Sequence, residues 1–575
     1  VSKSQKKHIL SFLLINGKEI MVKNIEIKCV NSDEDCQFPL GTTLGEIARL
    51  LSVETKQPIL GAYVNNRAKP LDYEMVKPRR VEFIDYSCRD GQRMYLRSLS
   101  FILYAAARNL WPQARLKIDH AISKGYYCEM EGLVRAFNDD DVRMLREEMS
   151  SIIRQNIPIE RKVVLTEIAI GLLESNGLYR KAELYRNYGR LYAPVFLLGD
   201  HVNFFYGHML TSTGCVKDFG IEKYYDGFLL RFPVPANPSE LEPAIKQDKL
   251  FGIFREHKKW AEILGVEDIP RLNAFKREDR HSDLIKISEA LHEKKIAEIA
   301  TAISQRRDKI NIVLIAGPSS SGKTTFSRRL GIQLAVNGLH AIEVSIDNFF
   351  VNRNVTPLDD EGNLDFEALE AIDIPYLNDF LLRLIAGEEV AVPRFDFHLG
   401  QRLFNGKKMK MTKDNILIIE GIHGLNPELT PLIDPEKTYR IFVSALTQIS
   451  IDEHTYIPTT DNRLVRRIIR DSKYRGYDAY TTIQRWPSVR RGEEKHIFPY
   501  QENADIMFNS ALIYELAVLK KYASPLLKLV KENTPEYSEA VRLLIFISYF
   551  ETIPEEEIPP TSVLREFLGG SSFDY

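Results

Sequence analysis

Residues Gly317, Pro318, Ser319, Ser320, Ser321, Gly322, Lys323 and Thr324 form a complete G-x-x-x-x-G-K-[ST] loop. It lies between the apolar run Ile312-Val313-Leu314-Ile315-Ala316 and a helix-like stretch from Thr325. A buried strand before and a helix after are the flanks such a loop requires. Its main-chain N–H groups point inward at a polyphosphate, glycines let the backbone approach closely, and the helix N-terminus favours the anion. Lys323 is the expected contact to the β and γ phosphates, and the Thr324 hydroxyl the expected Mg²⁺ ligand. With Thr325 these residues imply a site for ATP or GTP.

A phosphate loop alone does not separate a kinase from a GTPase or a motor, so the acids at the ends of the other strands decide. After the strand-like Ala341–Ile346 comes Asp347, placed where an open α/β sheet delivers a side chain to its ligand crevice. A carboxylate there can accept the proton of an attacking hydroxyl and orient it toward a γ phosphorus. The competing reading is a helix N-cap. The aliphatic run Ile416-Leu417-Ile418-Ile419 ends in Glu420, a second Mg²⁺ anchor or the structural partner of an arginine. Residues 463–495 carry ten Lys or Arg against four Asp or Glu. Arg463, Arg466, Arg467 and Arg470 recur at three- and four-residue spacing. That pattern suggests a lid over phosphoryl oxygens, with nucleic-acid binding as the rival.

These groups need a scaffold larger than one core. At 575 residues the chain predicts several domains. With 44% hydrophobic and 27% charged residues and a formal charge of −2, it reads as a globular protein with no global affinity for polyanions. No apolar run reaches the length of a membrane span, no signal-peptide core stands near Val1, and a cytoplasmic location is expected. Five widely spaced cysteines suggest neither a disulfide framework nor a zinc cluster.

The fold expected is multidomain. An α+β module covers 1–88, a second α+β unit 89–235, and a helical connector 236–309, where charged stretches such as Glu289–Ile296 read as solvated faces. An α/β domain with a parallel sheet covers 310–510, and a helical tail 511–575.

The order of GPSSSGKTT, SIDNFF, PRFDF, ILIIEGI and LVRRIIRDSKYRG resembles the uridine–cytidine kinase branch of the phosphoribulokinase/uridine kinase family over about 200 residues. The resemblance implies an α/β P-loop kinase that transfers the ATP γ-phosphate to a nucleoside 5′-hydroxyl, uridine or cytidine first. Asp347 would be the base, aided by Lys323 and Arg470, with Mg²⁺ near Thr324 and Glu420. It further implies ribose contact by Asp365, nucleoside contacts near Phe395, Phe397 and Ile422, and phosphate-side contacts by Arg467, Arg470 and Arg475.

Departures fall on base recognition. The family has tyrosine where Phe395 stands, a base-reading histidine where Gly400 stands, and arginine where Tyr477 stands. Gln484 meets the family glutamine only after a shift of alignment, and His398 is a nearby substitute for the missing histidine. Losing such polar handles weakens discrimination by powers of ten.

Upstream, Leu110-Trp111-Pro112 and Ile118–Tyr127 resemble, with the preceding module, the TGS and editing-type domains of threonyl-tRNA synthetases. Editing domains use an H-x-x-x-H pair and a C-x-x-x-H pair. Here Arg97 and Phe101 replace the first pair and Leu197 the cysteine, leaving His201 as an ordinary loop histidine, so no deacylase activity is expected. RNA binding by this half and self-association stay open, and no membrane partner is expected. Two other readings of the whole remain: a kinase for another small hydroxyl compound such as a sugar phosphate or pantothenate, and an RNA-associated nucleotide switch.

Overall fold

The computed structural model describes residues 12–15, 18–21, 23–187, 189–235, 237–238, 240–359, 362, 364–396 and 399–574. The first layer is a five-stranded sheet in the order Glu34–Pro39, Asn24–Cys29, Arg79–Ile84, Gly61–Val64, Arg67–Lys69. The alternation Ile25-Glu26-Ile27-Lys28 buries Ile25 and Ile27 and exposes Glu26. The helix Leu44–Leu50 starts at a capping box, in which the Thr43 hydroxyl accepts from the Glu46 N–H and the Glu46 carboxylate accepts from the Thr43 N–H.

Next comes α1 (Arg89–Leu110). With it stand a four-stranded antiparallel sheet, Gly220–Tyr224, Gly227–Arg231, Gly125–Glu131, Arg115–Ile122, and a three-stranded one, Ile159–Leu165, Tyr192–Leu198, His201–Asn203. Leu99, Phe101, Ile102 and Leu103 of α1 are fully buried and anchor the largest hydrophobic cluster. Phe101, at one position of the missing histidine pair, is therefore a core residue. His201 lies in a strand rather than a loop, half-buried, with Nε2 2.9 Å from Asn109 Oδ1.

The connector holds three helices, Asp248–Leu264, Ile269–Arg277 and His281–Ser304. The charges around Glu289 are not all a solvated face. Glu289 and His292 are buried, and Glu289 accepts from the Tyr514 hydroxyl at 2.9 Å. The reason is that this helix lays Ile296, Ile299 and Ile303 on the central sheet, with Val313, Ile315 and Ile441 in the same core.

That sheet comprises β1 (Ile312–Ala316), β2 (His340–Ser345), β3 (Asn415–Glu420), β4 (Thr438–Ser444) and β5 (Ile506–Asn509), in the order β2-β3-β1-β4-β5. Every pairing is parallel. Register sets Glu420 beside both Ile315 and Ser345, so the carboxyl ends of β1, β2 and β3 open onto one crevice, where ligands of such sheets bind.

The hairpin Ser450–Asp452/Thr455–Tyr456 reaches back into the N-terminal half. There Ile118 N–H donates to Glu453 O at 2.9 Å, and the fully buried Lys181 pairs with Asp452 at 3.1 Å. Residues 511–574 supply the helices Glu515–Lys528, Tyr537–Ser548 and Arg565–Leu568, whose Leu543, Phe546 and Leu568 join the same cluster as Phe101 and Phe205. Among the described residues no helix is long and apolar enough to cross a membrane.

Candidate active site

The loop leaves β1 and enters α2 (Lys323–Val336) through Gly322, whose φ of +80° is left-handed and whose Cβ position is filled by Val563 at 2.6 Å. Only glycine serves there. Lys323 Nζ donates to Gly317 O at 2.9 Å and Pro318 O at 3.2 Å, so the ammonium is folded over the loop. The Thr324 hydroxyl donates to Glu420 Oε1 at 3.1 Å, and the Thr325 hydroxyl donates to Glu566 at 2.6 Å.

Asp347 lies in a 3₁₀ turn, Ile346–Phe349, whose N-cap is Ser345: the serine Oγ accepts from the Asp347 N–H. The cap role expected as the alternative for Asp347 therefore falls to its neighbour, and its carboxylate is left to the crevice. The side chain is open to water at the cleft mouth, yet the crowded walls raise its carboxyl above the usual range while Lys323 and Arg475 pull it back. Burial also pushes Glu420 up to about 7, opposed by Lys323 and reinforced by Asp347 and Glu566.

The basic segment divides into two groups. α3 (Thr459–Arg470) is followed by a π-turn, Asp471–Arg475, and by α4 (Ala479–His496). Arg463 and Arg466, expected in a phosphate lid, are instead fully buried. Arg463 clasps Glu493 of α4 with both terminal nitrogens, one at 2.7 Å, and donates to Ser319 O at 3.0 Å. Glu493 Oε1 in turn accepts from the Ser319 N–H at 3.1 Å. Arg466 pairs with Glu515 at 2.5 Å and donates to Ser320 O at 3.4 Å. An ion pair this dry needs both members, so these arginines brace the loop from behind.

Arg467, Arg470 and Arg475 form the second group. All three lie within 3.5 Å of one carboxylate, Asp471. Burial followed by Arg475 drives Arg470 down to about 10, and burial lowers Arg467. Arg467 also donates to the Ser319 hydroxyl at 2.8 Å. Three guanidinium groups sharing one acid beside a phosphate loop are positioned to receive phosphoryl oxygens. The π-turn accounts for Arg475: its wider coil carries that residue back toward Asp471.

Of the residues expected to contact the acceptor, Asp365 is half-buried and accepts from the Glu367 N–H at 2.9 Å. Phe395 is buried against Phe350, ring centroids 5.5 Å apart. Ile422 packs into the core beneath the sheet ends. Phe397 and His398 lie outside the described residues. Gln484 is exposed on α4 and donates to Tyr480 of the same helix, and among the described residues no hydrogen bond joins it to the other named ones. Gly400 has φ +67°, and a Cβ there would meet Arg353 at 2.7 Å. The position that carries histidine in the family thus has neither the backbone nor the space for one.

Glu367 escaped the sequence reading. Burial and Glu493 push it up to about 7, with Arg467, Asp347 and Lys323 also acting on it. A carboxyl with no motif around it gives no signal in sequence; only the fold brings it to the crevice. Among the described residues no group of three or more His, Cys, Asp or Glu could hold a metal unaided.

The chain is similar to known proteins in two separate parts. A threonine–tRNA ligase of Acetivibrio thermocellus is 30% identical over 252 residues, covering 40% of this chain and 38% of that protein. One from Clostridium kluyveri is 27% identical over 210 residues, covering 36% and 30%. The chain thus spans less than two-fifths of the length of these curated relatives. Among solved structures, a possible uridine kinase from Bacillus stearothermophilus aligns with 17% identity over 35% of this chain and 89% of that one, at a TM-score of 0.23. The N-terminal part has its homologues among threonine–tRNA ligases, and residues 312–514 match the model of the Phosphoribulokinase / Uridine kinase family, which supports a P-loop phosphotransferase.

Proposed function

We propose that this protein transfers the γ-phosphate of ATP to the 5′-hydroxyl of a nucleoside, with uridine and cytidine the first candidates. The kinase domain would occupy residues 310–510, behind a TGS-like module, a degenerate editing-like domain and a helical connector. One observation carries the reading. A strand-end carboxylate, Asp347, is relieved of any capping duty and faces Lys323 and Arg475 across the crevice. A nucleotide switch has no need of such a base, whereas a hydroxyl acceptor does.

In this reading Asp347 takes the acceptor proton, and crowding that raises its carboxyl makes it a better base. Lys323 and the group Arg467, Arg470 and Arg475 hold the phosphoryl oxygens and stabilise charge as it develops. The donor set suits Mg²⁺: a hydroxyl and a carboxylate oxygen 3.1 Å apart, with the acid held near 7 by burial. Mg²⁺ takes few protein oxygens and fills its shell from water and phosphate. Thr324 and Glu420 would hold it, and when bound it would neutralise phosphate charge.

Asp347→Asn tests the reading. Turnover should fall by about 10²–10⁴-fold, the usual worth of a positioned base, with ATP affinity unchanged; unaltered turnover refutes the assignment. A kinase for another small hydroxyl compound is the second reading. The turn at Gly400 favours it, since it leaves no side chain to read a base edge.

A further inference from the structure

A second cavity, of about 330 Å³, lies where the N-terminal half meets α3 and α4. Its volume is within the range of small-molecule sites, about 300–1,000 Å³. One wall is a stripe of α1 carrying Arg89, Arg93 and Arg97 at four-residue spacing, and Arg97 stands where the editing fold would place its first histidine. The cavity thus occupies the lapsed editing face with a different chemistry.

Most charges around it are matched. Arg93 pairs with Asp90 and Glu539, Arg542 with Asp461 and Glu539, and Arg490 with Glu493 and Glu494. Two guanidinium groups are not. Among the described residues Arg97 donates to His208 O at 3.2 Å, lies 5.3 Å from the Tyr206 ring and meets no acid within ion-pair distance, and Arg89 likewise has none that close, with Glu539 and Glu494 acting on it from farther off. Burial lowers Arg97 below the usual arginine range, and crowding by the cavity walls lowers Arg89 although its side chain still reaches solvent. The remaining lining sets the rings of Tyr126, Phe205, Tyr206 and Trp486 beside polar side chains such as Gln92, Ser100, Thr455 and Thr460. A guanidinium fork matches phosphate or carboxylate oxygens. A carboxylate answers one such group, and a phosphomonoester dianion answers two, while the rings offer faces to a planar base.

We propose that this cavity is a ligand site for a nucleoside monophosphate, its phosphate held by Arg89 and Arg97 and its base against those rings. It is distinct from the phosphate loop, though α4 touches both: Arg490 and Glu494 line the cavity, while Glu493 binds Ser319. The inference does not depend on the kinase reading, because binding is measured in a protein that need not turn over.

The experiment is calorimetric titration of the full chain carrying Lys323→Ala, which disables the donor site. The titrants are UMP, CMP, AMP and GMP, with uridine and ribose 5-phosphate as the ring and the phosphate alone. One monophosphate should bind with a step that Arg97→Gln weakens at least tenfold, that Arg89→Gln also weakens, and that Arg97→Lys partly restores. Uridine and ribose 5-phosphate should each bind at least tenfold more weakly. Arg89 is exposed, so Arg89→Gln leaves a folded protein even if Arg97→Gln does not. Absence of any monophosphate binding, or binding indifferent to both substitutions, overturns the proposal. A step that persists in Arg97→Gln but vanishes on Asp347→Asn would place the ligand at the kinase crevice and overturn it equally.

Discussion

Glu420→Gln should stabilise the metal-free protein at high pH and leave it unchanged at low pH, even as it removes the carboxylate proposed to hold Mg²⁺. In the folded chain the Glu420 carboxyl is pushed from about 4.5 up to about 7, chiefly by burial and then by Asp347 and Glu566. A raised acid binds more protons folded than unfolded, so its favourable contribution is complete below the unfolded value near 4.5. It is lost as pH climbs through 7. At 1.36 kcal/mol per unit the loss is about 3 kcal/mol, an upper value because the side chain is only half-buried and keeps some contact with water. Glutamine is neutral at every pH and still accepts from the Thr324 hydroxyl. The assay is urea denaturation with EDTA, wild type against Glu420→Gln, from about pH 4 to about pH 8.5, which brackets both values. The difference between the two curves should open from near zero to about 2–3 kcal/mol in favour of the variant. Added Mg²⁺ and ATP should narrow it, because they stabilise only the carboxylate form. A difference that stays flat across this range refutes the argument that burial strains the Glu420 charge.

Three further outcomes follow from the site. Glu493→Gln leaves Arg463 buried without its counter-charge and should cost about 3–5 kcal/mol, seen as an earlier denaturation midpoint; the double change Arg463→Met, Glu493→Leu should recover most of that loss. Gly400→His meets a left-handed backbone and the Arg353 side chain, so it should cost about 1–3 kcal/mol and confer no base selectivity in a panel of nucleosides. Removing residues 562–575 takes Glu566 from Thr325 and Val563 from Gly322, and ATP affinity by equilibrium dialysis should fall at least tenfold.

The sheet and its loop were readable in sequence because their signals are local. The run Ile312–Ala316 is wholly buried, and the loop must follow it. The capping box at Thr43 is equally local. Arg463 and Arg467 show where local reading stops. Both belong to one basic helix, yet the first is buried against Glu493 and the second reaches the Ser319 hydroxyl. Helical spacing gives the face on which a residue lies, not what packs against it, and Glu493, thirty residues on, decided the matter. Glu289 was misread as solvated for the same reason, since its partner Tyr514 is 225 residues away. The wall formed by Arg89 and Arg97 was likewise hidden until the hairpin Ser450–Tyr456 met the N-terminal half.

The contact between Thr325 and Glu566 joins residues 241 positions apart, and it dictates an order of events during synthesis. The loop and its sheet emerge from the ribosome long before Val563, Glu566 and Phe567, the groups that close over Gly322, Thr325 and Arg466. Domains generally fold as units as they emerge, yet this loop stays uncovered while translation continues. A nascent chain can therefore hold a formed sheet and loop and still lack the groups that close over them; under the proposed function, competence to bind a triphosphate would report that the chain has been made through Phe567.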